Sequence, residues 1–473
     1  MIKFGTSGFR GVVGDNFTKE NIQKIAFALC EIAKSESIKK PTVIIGYDTR
    51  FMSRDFAKWA SEVLATSMNV EFYEQAVPTP LISFVAKNYS YGMIITASHN
   101  PYYYNGLKII LNEGREADDE FVKKIEKIAN KVKIADIKAI DFEEGLKTKK
   151  IVYTKDIKSY CSDILKHINV KKIQNSNLKI LVNCMHGNGA ECTKYVFDKL
   201  KVKYELMNDN VDPYFENKLP APYKENMDDL ANRVKKENFD FGFAYDGDSD
   251  RFSLVTSSGK YYDCNYVGAV LFYYLVKVRG CKGGVSKNFA ATTLIEKIAN
   301  ELGQKCYNLP VGFKNIAKSL IETDSFIGIE AEGISFKEHA LHKDGIFVAA
   351  MFLDMICTFG KKFEDILLDL VKVLRFESQI VEFAYPISAA QKEKISNLLF
   401  VQKKYPKIKG KKVTEVDYPE GCRVLYENGY WVMLRFSGNE PVIRIFVEMK
   451  DLKECEMVVK EYEKFIGVKT RQF

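Results

Sequence analysis

No stretch of this chain approaches the ~20 consecutive apolar residues that a membrane-spanning helix requires, so nothing in the sequence calls for a membrane partner. The opening residues, Met1-Ile2-Lys3-Phe4-Gly5, lack the basic-then-apolar pattern of a secretory signal. The 10 cysteines are scattered, with no Cys-x-x-Cys pair among them. That usage reads as reduced thiols in a cytoplasmic protein, not as a disulfide frame or a cysteine zinc site. No short-period repeat is present. A strong excess of one charge is also missing: 70 basic residues against 62 acidic ones leave a net charge of +8. This suits an anionic small molecule as well as a polyanion. The densest basic run, Lys403 to Lys412, is not embedded in a nucleic-acid-binding module and reads as a solvated loop or hairpin rim. Neither nucleic acid nor membrane is expected as a partner.

What is present is a long chain of ordinary globular composition. Its 473 residues are 46% hydrophobic and 28% charged, too long for one core and enough for several domains. Strand and helix signals alternate, the mark of an α/β layer structure. Ile2-Lys3-Phe4 is a possible first strand, and Thr18 is placed to cap a helix with Ile22, Ile25, Ala26, Leu29 and Ile32 on one face. Val43-Ile44-Ile45 leads into Asp48-Thr49-Arg50, and Ser53 is placed to cap the next helix. Met93-Ile94-Ile95 leads into Thr96-Ala97-Ser98-His99-Asn100-Pro101. Ligands collect at the carboxyl ends of strands in such sheets, which singles out Arg50 and Ser98. A charge-rich stretch, Lys127 to Lys150, carries the exit from this first unit. A second α/β set begins at Leu178 and a third near Gly283, and the last ~100 residues read as a smaller α+β unit.

Three segments carry chemistry. Ser98 ends a buried strand in a loop stiffened by Pro101, a place for a nucleophile, although Ser-His-Asn-Pro alone is equally an ordinary turn. Asp246-Gly247-Asp248-Ser249-Asp250 alternates three carboxylates, an oxygen-rich set suited to a hard cation. An EF-hand loop counted from Asp246 needs Gly at its sixth position and Glu at its twelfth; here these are Arg251 and Ser257, which excludes it. Three carboxylates instead suit Mg²⁺ with positions left for a phosphate oxygen, and Arg251 beside it suits a transferring phosphoryl group. Arg435-Phe436-Ser437-Gly438-Asn439-Glu440-Pro441, with Arg444, offers the forked and backbone donors that a phosphate dianion accepts. Glu330 and Glu332 are paired acceptors for sugar hydroxyls. Lys287, Lys314, Lys337 and His339 are weaker candidate contacts, and His167, His186 and His342 show no partner pattern.

Taken in order, these segments resemble the α-D-phosphohexomutase superfamily, the phosphoglucomutases and phosphomannomutases, over nearly the whole chain. Phe4 to Gly11 is similar to the family's opening loop, which puts Arg10 in the active site. Thr96 to Pro101 resembles its phosphoserine loop, with Ser98 as the phosphorylated residue. Asn105-Gly106-Leu107-Lys108 resembles the segment bearing a proton-transferring lysine, and Asp246 to Arg251 the loop whose aspartates hold Mg²⁺ together with the serine phosphate. Arg435 to Pro441 resembles the loop that grips the substrate phosphate; Val311 to Lys314 and Lys343 to Ile346 also match the third domain.

The resemblance implies three similar mixed α/β domains and a C-terminal α+β domain around a central cleft. They are placed at 1–145 (phosphoserine loop), 146–252 (metal loop), 253–368 (sugar loop) and 369–473 (phosphate grip). It further implies a Mg²⁺-dependent enzyme with a hexose 1,6-bisphosphate as activator, acting on small sugar phosphates. Phosphate would pass from Ser98 to a hexose phosphate and back, interconverting 1- and 6-phosphates of glucose, with mannose as a second candidate. Lys108 or His99 would move the hydroxyl proton.

Two departures leave alternatives open. The family's sugar loop commonly reads Gly-Glu-x-Ser-Gly, whereas Glu332 stands here where serine is expected, and Asn439 replaces a commoner threonine. A pentose-phosphate mutase, a hexose bisphosphate synthase, or a silent sugar-phosphate-binding homologue remain alongside. The loop also lacks the Gln-Ser-Gly-His of the glucosamine-phosphate branch, an argument against that branch.

Overall fold

The first sheet is built from β1 (Phe9–Val12), β2 (Thr42–Tyr47), β3 (Asn69–Tyr73), β4 (Tyr91–Ile95), β5 (Tyr104–Leu111) and β6 (Ile151–Thr154) in the order β1-β5-β4-β2-β3-β6. The computed structural model describes residues 1–5, 7–437 and 441–469. The second sheet holds β7 (Lys179–Asn183), β8 (Lys203–Met207), β9 (Phe241–Ala244), β10 (Ser253–Thr256) and β11 (Tyr261–Tyr262), ordered β11-β10-β9-β7-β8. The third holds β12 (Val285–Asn288), β13 (Cys306–Leu309), β14 (Ile327–Glu330) and β15 (Gly333–Phe336), ordered β13-β12-β14-β15.

One motif recurs in all three. A central strand (β2, β7, β12) pairs in parallel with an outer neighbour (β3, β8, β13) on one side and with β4, β9 or β14 on the other. That last strand then folds back through a loop into an antiparallel partner, β5, β10 or β15. β4 and β9 are buried along their whole length because neighbours and helices cover both faces, hence their near-continuous apolar sequence.

The fourth sheet is antiparallel throughout: β16 (Gln379–Pro386), β17 (Val413–Asp417), β18 (Cys422–Tyr426), β19 (Trp431–Phe436) and β20 (Val442–Met449), ordered β16-β20-β19-β18-β17. The helix Leu452–Ile466 packs on it through Val458, Val459 and Tyr462. The three α/β units together with this α+β unit match the fold class read from the sequence. The basic run from Lys403 to Lys412 lies largely exposed between helix and strand.

Local signals held where a side chain could act alone. Thr18 caps the helix Lys19–Ser35 by accepting from the Asn21 N–H at 3.3 Å, and Ile22, Ile25, Ala26, Leu29 and Ile32 are buried. Two expectations fail for tertiary reasons. Ile2-Lys3-Phe4 is not a strand: the Ile2 and Phe4 N–H groups donate to Asn130 Oδ1 (2.8 Å) and Glu126 Oε1 (2.6 Å) on a helix. Ser53 does not cap its helix: Met52 holds that position at φ 60°, and the Ser53 hydroxyl donates instead to Asp48 Oδ1. β6, directly after the Lys127–Lys150 exit stretch, pairs with β3 and forms the edge of the first sheet.

One apolar core runs through the second and third units and takes in one side of the first, including Ile44, Tyr73 and Ile94 of its sheet and Ile82 of the helix Thr79–Ala86. The other side of the first sheet packs a core of its own around Phe17, Ile25, Ile45, Met93 and Leu107. The C-terminal unit has its own core around Tyr385, Val424, Leu434, Ile445 and Val459. It meets the third unit through a small patch of Ala290, Trp431, Met433 and Phe446. Beside that patch the buried Glu448 accepts from the Trp431 indole (2.6 Å), the Thr293 N–H (2.9 Å) and Ser378 (2.8 Å).

Candidate active site

The repeated strand-loop-strand unit brings chemistry to one place. The β4–β5 connection carries Ser98 and His99, β9–β10 carries Asp246 to Arg251, and β14–β15 carries Glu330 and Glu332. Each loop leaves the carboxyl end of a parallel strand, where a sheet of this kind opens a crevice.

Ser98 is buried and held at φ 51°, a left-handed conformation uncommon for a non-glycine residue. Its N–H donates to Thr96 Oγ1 (2.9 Å), its hydroxyl donates to Asp246 Oδ2 (2.6 Å), and His99 Nδ1 lies 3.3 Å from the same oxygen. The loop backbone is fixed from beneath by Arg50. One guanidinium nitrogen donates to the Ser98 and Asn100 carbonyls, both at 2.6 Å, and the other to Pro101 (2.9 Å) and Tyr104 (3.2 Å). Arg50 is therefore a structural anchor of the loop, not a ligand contact. Gly247 packs against the Ser98 carbonyl so closely that a Cβ would stand 2.8 Å from that oxygen, which leaves room for glycine alone between Asp246 and Asp248.

One oxygen from each of Asp246, Asp248 and Asp250 lies within 4.8 Å of the others, and all three side chains are buried. Their electrostatics show what the crowding costs. Burial, then repulsion from Asp248 and Asp250, pushes the Asp246 carboxyl well above the carboxylate range. Burial also acts on Asp248 and Asp250, but Lys108 and Thr79 pull Asp248 below that range, and Lys343, Lys108 and His342 hold Asp250 at about 2. Asp248 Oδ1 and Asp250 Oδ1 are buried without a hydrogen-bond donor. Orphaned carboxylate oxygens beside a strained serine fit a hard divalent cation, which prefers such oxygens and leaves positions open. These residues could hold a metal.

Lys108 reaches Asp248 Oδ2 (2.8 Å), Asp250 Oδ2 (3.2 Å) and Glu116 Oε1 (3.8 Å). Burial opposes its charge, yet the three carboxylates outweigh burial and hold it firmly protonated. His99 is the opposite case. Burial, then Arg251, Arg10 and Lys343, depress it well below the histidine range, so the imidazole is neutral at pH 7. In this arrangement His99 presents a neutral ring nitrogen beside the Ser98 hydroxyl, and Lys108 is a fixed cation among the carboxylates. Arg10 lies beside them, donating to Asn100 Oδ1 at 2.5 Å.

Arg251 links the metal loop to the sugar loop. It donates to the Tyr223 hydroxyl (2.6 Å), pairs with Glu332 Oε2 (2.7 Å) and lies 3.4 Å from His99 Nε2. Tyr223 in turn donates to Glu332 Oε1 at 2.8 Å, so both oxygens of Glu332 are engaged within the protein. Glu330 accepts from Asn288 Nδ2 (3.1 Å) and the Gly312 N–H (3.3 Å), and burial raises its carboxyl. Arg435 pairs with Glu420 and Arg444 with Glu382, each at 2.5 Å. The Ser437 N–H donates to the Val442 carbonyl. Gly438 and Asn439, named from the same loop, lie outside the described residues. Lys314 reaches Asp119 across to the first unit at 3.3 Å.

Other sequence candidates point elsewhere. Lys337 donates to the Thr323 carbonyl and Lys287 to that of Ala291. His339 belongs to a separate cluster with Asp163 and Asp344. Three functional neighbours escaped the sequence reading. Glu116 accepts from His342 Nε2 (3.0 Å) and Ser7 (2.8 Å), and buried Lys343 stands 3.5 Å from Asp250 Oδ1. Lys343 sits in a segment already singled out. Nothing around Glu116 or His342 in the sequence signals their pairing, since 226 residues separate them.

Comparison with known proteins agrees with this layout. Family models describing the phosphoglucomutase/phosphomannomutase α/β/α domains I, II and III match residues 1–135, 158–259 and 263–374, and the C-terminal domain model matches 390–464. A phosphoglucomutase/phosphomannomutase of Thermococcus kodakarensis is 29% identical over 98% of this chain and 97% of its own length. A phosphoglucosamine/phosphogalactosamine mutase of Sulfurisphaera tokodaii is 27% identical, covering 98% of each. The crystal structure of a "putative phosphomannomutase" from Thermus thermophilus superposes with a TM-score of 0.86 at 25% identity, over 98% of this chain and 99% of that one. With all four of its domains matched in order, the chain belongs to the phosphoglucomutase/phosphomannomutase family of the α-D-phosphohexomutase superfamily, the phosphate-transferring isomerases.

Proposed function

We propose that the protein is a Mg²⁺-dependent phosphohexomutase that interconverts hexose 1-phosphate and hexose 6-phosphate, with glucose as the first candidate sugar and mannose as the second. The observation that carries this reading is the strained Ser98, whose hydroxyl donates to Asp246 inside a buried carboxylate triad with orphaned oxygens. Such a triad suits Mg²⁺, which when bound would neutralise charge on the transferring phosphoryl group.

The chain's own residues would then act as follows. Ser98 carries the phosphate, and a hexose monophosphate enters with its phosphate gripped by Arg435, Ser437, Gly438, Asn439 and Arg444. The sugar hydroxyl attacks phosphorus as the bond to Ser98 Oγ breaks, and the hydroxyl proton passes through neutral His99 to the departing Ser98 oxygen, 3.3 Å from its Nδ1. Arg10 and Arg251 stabilise charge on the equatorial oxygens, and Lys108 keeps the proton balance of the Asp loop. The resulting bisphosphate turns over, and its other phosphate returns to Ser98. Hexose 1,6-bisphosphate thus serves as activator of an unphosphorylated enzyme. Lys314 and Glu330 flank the sugar, whereas Glu332 contributes through Arg251.

Sugar identity rests on weaker support. Relatives named for glucosamine phosphate weigh against the loop-based argument against that branch. The test is an assay of purified protein, primed with glucose 1,6-bisphosphate, on glucose 1-phosphate, mannose 1-phosphate, glucosamine 1-phosphate and ribose 1-phosphate. Isomerisation of glucose 1-phosphate at the highest kcat/KM is expected. A ranking led by glucosamine or ribose would replace the substrate, and no isomerisation of any would overturn the mutase reading.

A further inference from the structure

A second cluster of metal-ligating side chains lies away from the Asp loop, at a junction of three units. Asp163 stands on the helix Lys158–Lys166 and His167 is that helix's C-cap, one turn further on. His339 comes from the loop after β15, and Lys87 of the first unit donates to its backbone carbonyl at 2.6 Å. Asp163 Oδ2 lies 2.8 Å from His339 Nδ1 and 3.4 Å from His167 Nε2, and one ligating atom from each of the three falls within 4.8 Å of the others.

From the way these residues are backed, we infer that Asp163, His167 and His339 form a binding site for a divalent transition cation of the zinc type, distinct from the all-oxygen Asp246–Asp250 loop. Two imidazoles and one carboxylate are the donor set such cations take, whereas Mg²⁺ prefers oxygen alone. The far nitrogen of His339 faces the Asp344 carboxylate at 3.1 Å, and Asp344 is itself held by the Tyr160 hydroxyl (2.8 Å) and the Phe347 N–H (2.9 Å). A carboxylate on the outer nitrogen is how proteins orient a ligating histidine and raise its basicity. The ring is further fixed by Phe84, stacked at 5.1 Å, and Phe347 at 4.6 Å. Entry is open, since the His167 and Asp163 side chains keep 26% and 17% of their exposure while His339 keeps 1%.

Two carboxylates flank His339, Asp163 at Nδ1 (2.8 Å) and Asp344 at Nε2 (3.1 Å). Three cations stand nearby, each with another partner or on the outer carboxylate oxygen: Lys166 lies 3.5 Å from Asp163 Oδ1, Arg279 donates to the His167 carbonyl and pairs with Asp354, and Lys87 donates to the His339 carbonyl. Metal uptake forms bonds to His339 Nδ1, His167 Nε2 and Asp163 Oδ2, and the proton on His339 Nδ1 leaves to solvent. The bound ion ties the second unit's helix to the strap that leads through His342 and Lys343 to the active site.

The test is Zn²⁺ titration of the full chain against a chromophoric chelator with excess Mg²⁺ present, paired with melting curves. Wild type is expected to take up one Zn²⁺ tightly and to melt higher with it. The rim variants His167→Ala and Asp163→Asn are expected to lose affinity on the order of 100-fold and to show no Zn²⁺-dependent rise in melting temperature. Equal uptake by wild type and both variants would overturn the site. So would the absence of tight uptake by folded wild type, which would leave the cluster a proton-bridged clip alone.

Discussion

At the scale of single residues, the site is governed by groups that burial and neighbours push in opposite directions. Glu116 shows it most clearly: burial acts to raise its carboxyl, but the His342 hydrogen bond and the Lys108 charge prevail and hold it at about 2 against an ordinary 4.5. Because its folded value is depressed, its contribution to stability is complete above pH 4.5 and is lost as the pH falls toward about 2. The linked difference is about 3 kcal/mol. Glu116→Gln should therefore lose less stability than wild type between pH 5 and pH 3, measured by denaturant unfolding at each pH; parallel losses would remove Glu116 from this role. Ser98 and the Asp loop could be found in the sequence because each is a contiguous pattern. Glu116 and His342 could not, since each is an ordinary residue until the fold brings them together. Glu332 was visible as a departure from the family pattern, but its partners Tyr223 and Arg251 come from another unit, so only the structure shows that its oxygens are taken.

Among elements, the recurrent unit is the strand pair joined by a functional loop, β4–β5, β9–β10 and β14–β15. Apolar runs such as Met93-Ile94-Ile95 reveal these strands because burial on both faces demands them, and the loops after them could be read as sites. The order of the strands, and hence the threefold recurrence of one motif, follows from pairing between distant segments, which periodicity cannot show. Ile2-Lys3-Phe4 and Ser53 were misread for the same reason: a local pattern lost to a long-range hydrogen bond. The β4–β5 loop depends on Arg50, whose fork holds four carbonyls at once. A lysine cannot reproduce that geometry. Arg50→Lys should fold but misplace Ser98, lowering kcat about 100-fold, as displacements near 1 Å do. Retention of wild-type kcat would show that the loop holds its shape without the fork.

Across the whole molecule, one apolar core joins the second and third units to one side of the first, and the other side of the first unit has a core of its own. The fourth unit keeps its own and meets the third through a small patch. This division matches the two tasks of the proposed reaction. Phosphate transfer needs Ser98, the Asp loop and Arg251 fixed to one another, and they stand on the shared core. In that proposal the phosphate grip must accept a substrate in either of two orientations, and Arg435 and Arg444 stand on the separate unit, each paired with a glutamate. No helix among the described residues is long and apolar enough to cross a membrane. The central claim is that one phosphate carrier and one grip serve both ends of the sugar. The most direct measurement charges the enzyme with glucose 1,6-bisphosphate, removes the excess, and follows intact mass and the Ser98 peptide after adding glucose 1-phosphate or glucose 6-phosphate. The expected result is one phosphate on Ser98, none in Ser98→Ala, and discharge by either monophosphate to give the 1,6-bisphosphate. Phosphate on another residue, or discharge by only one of the two sugars, would contradict the account.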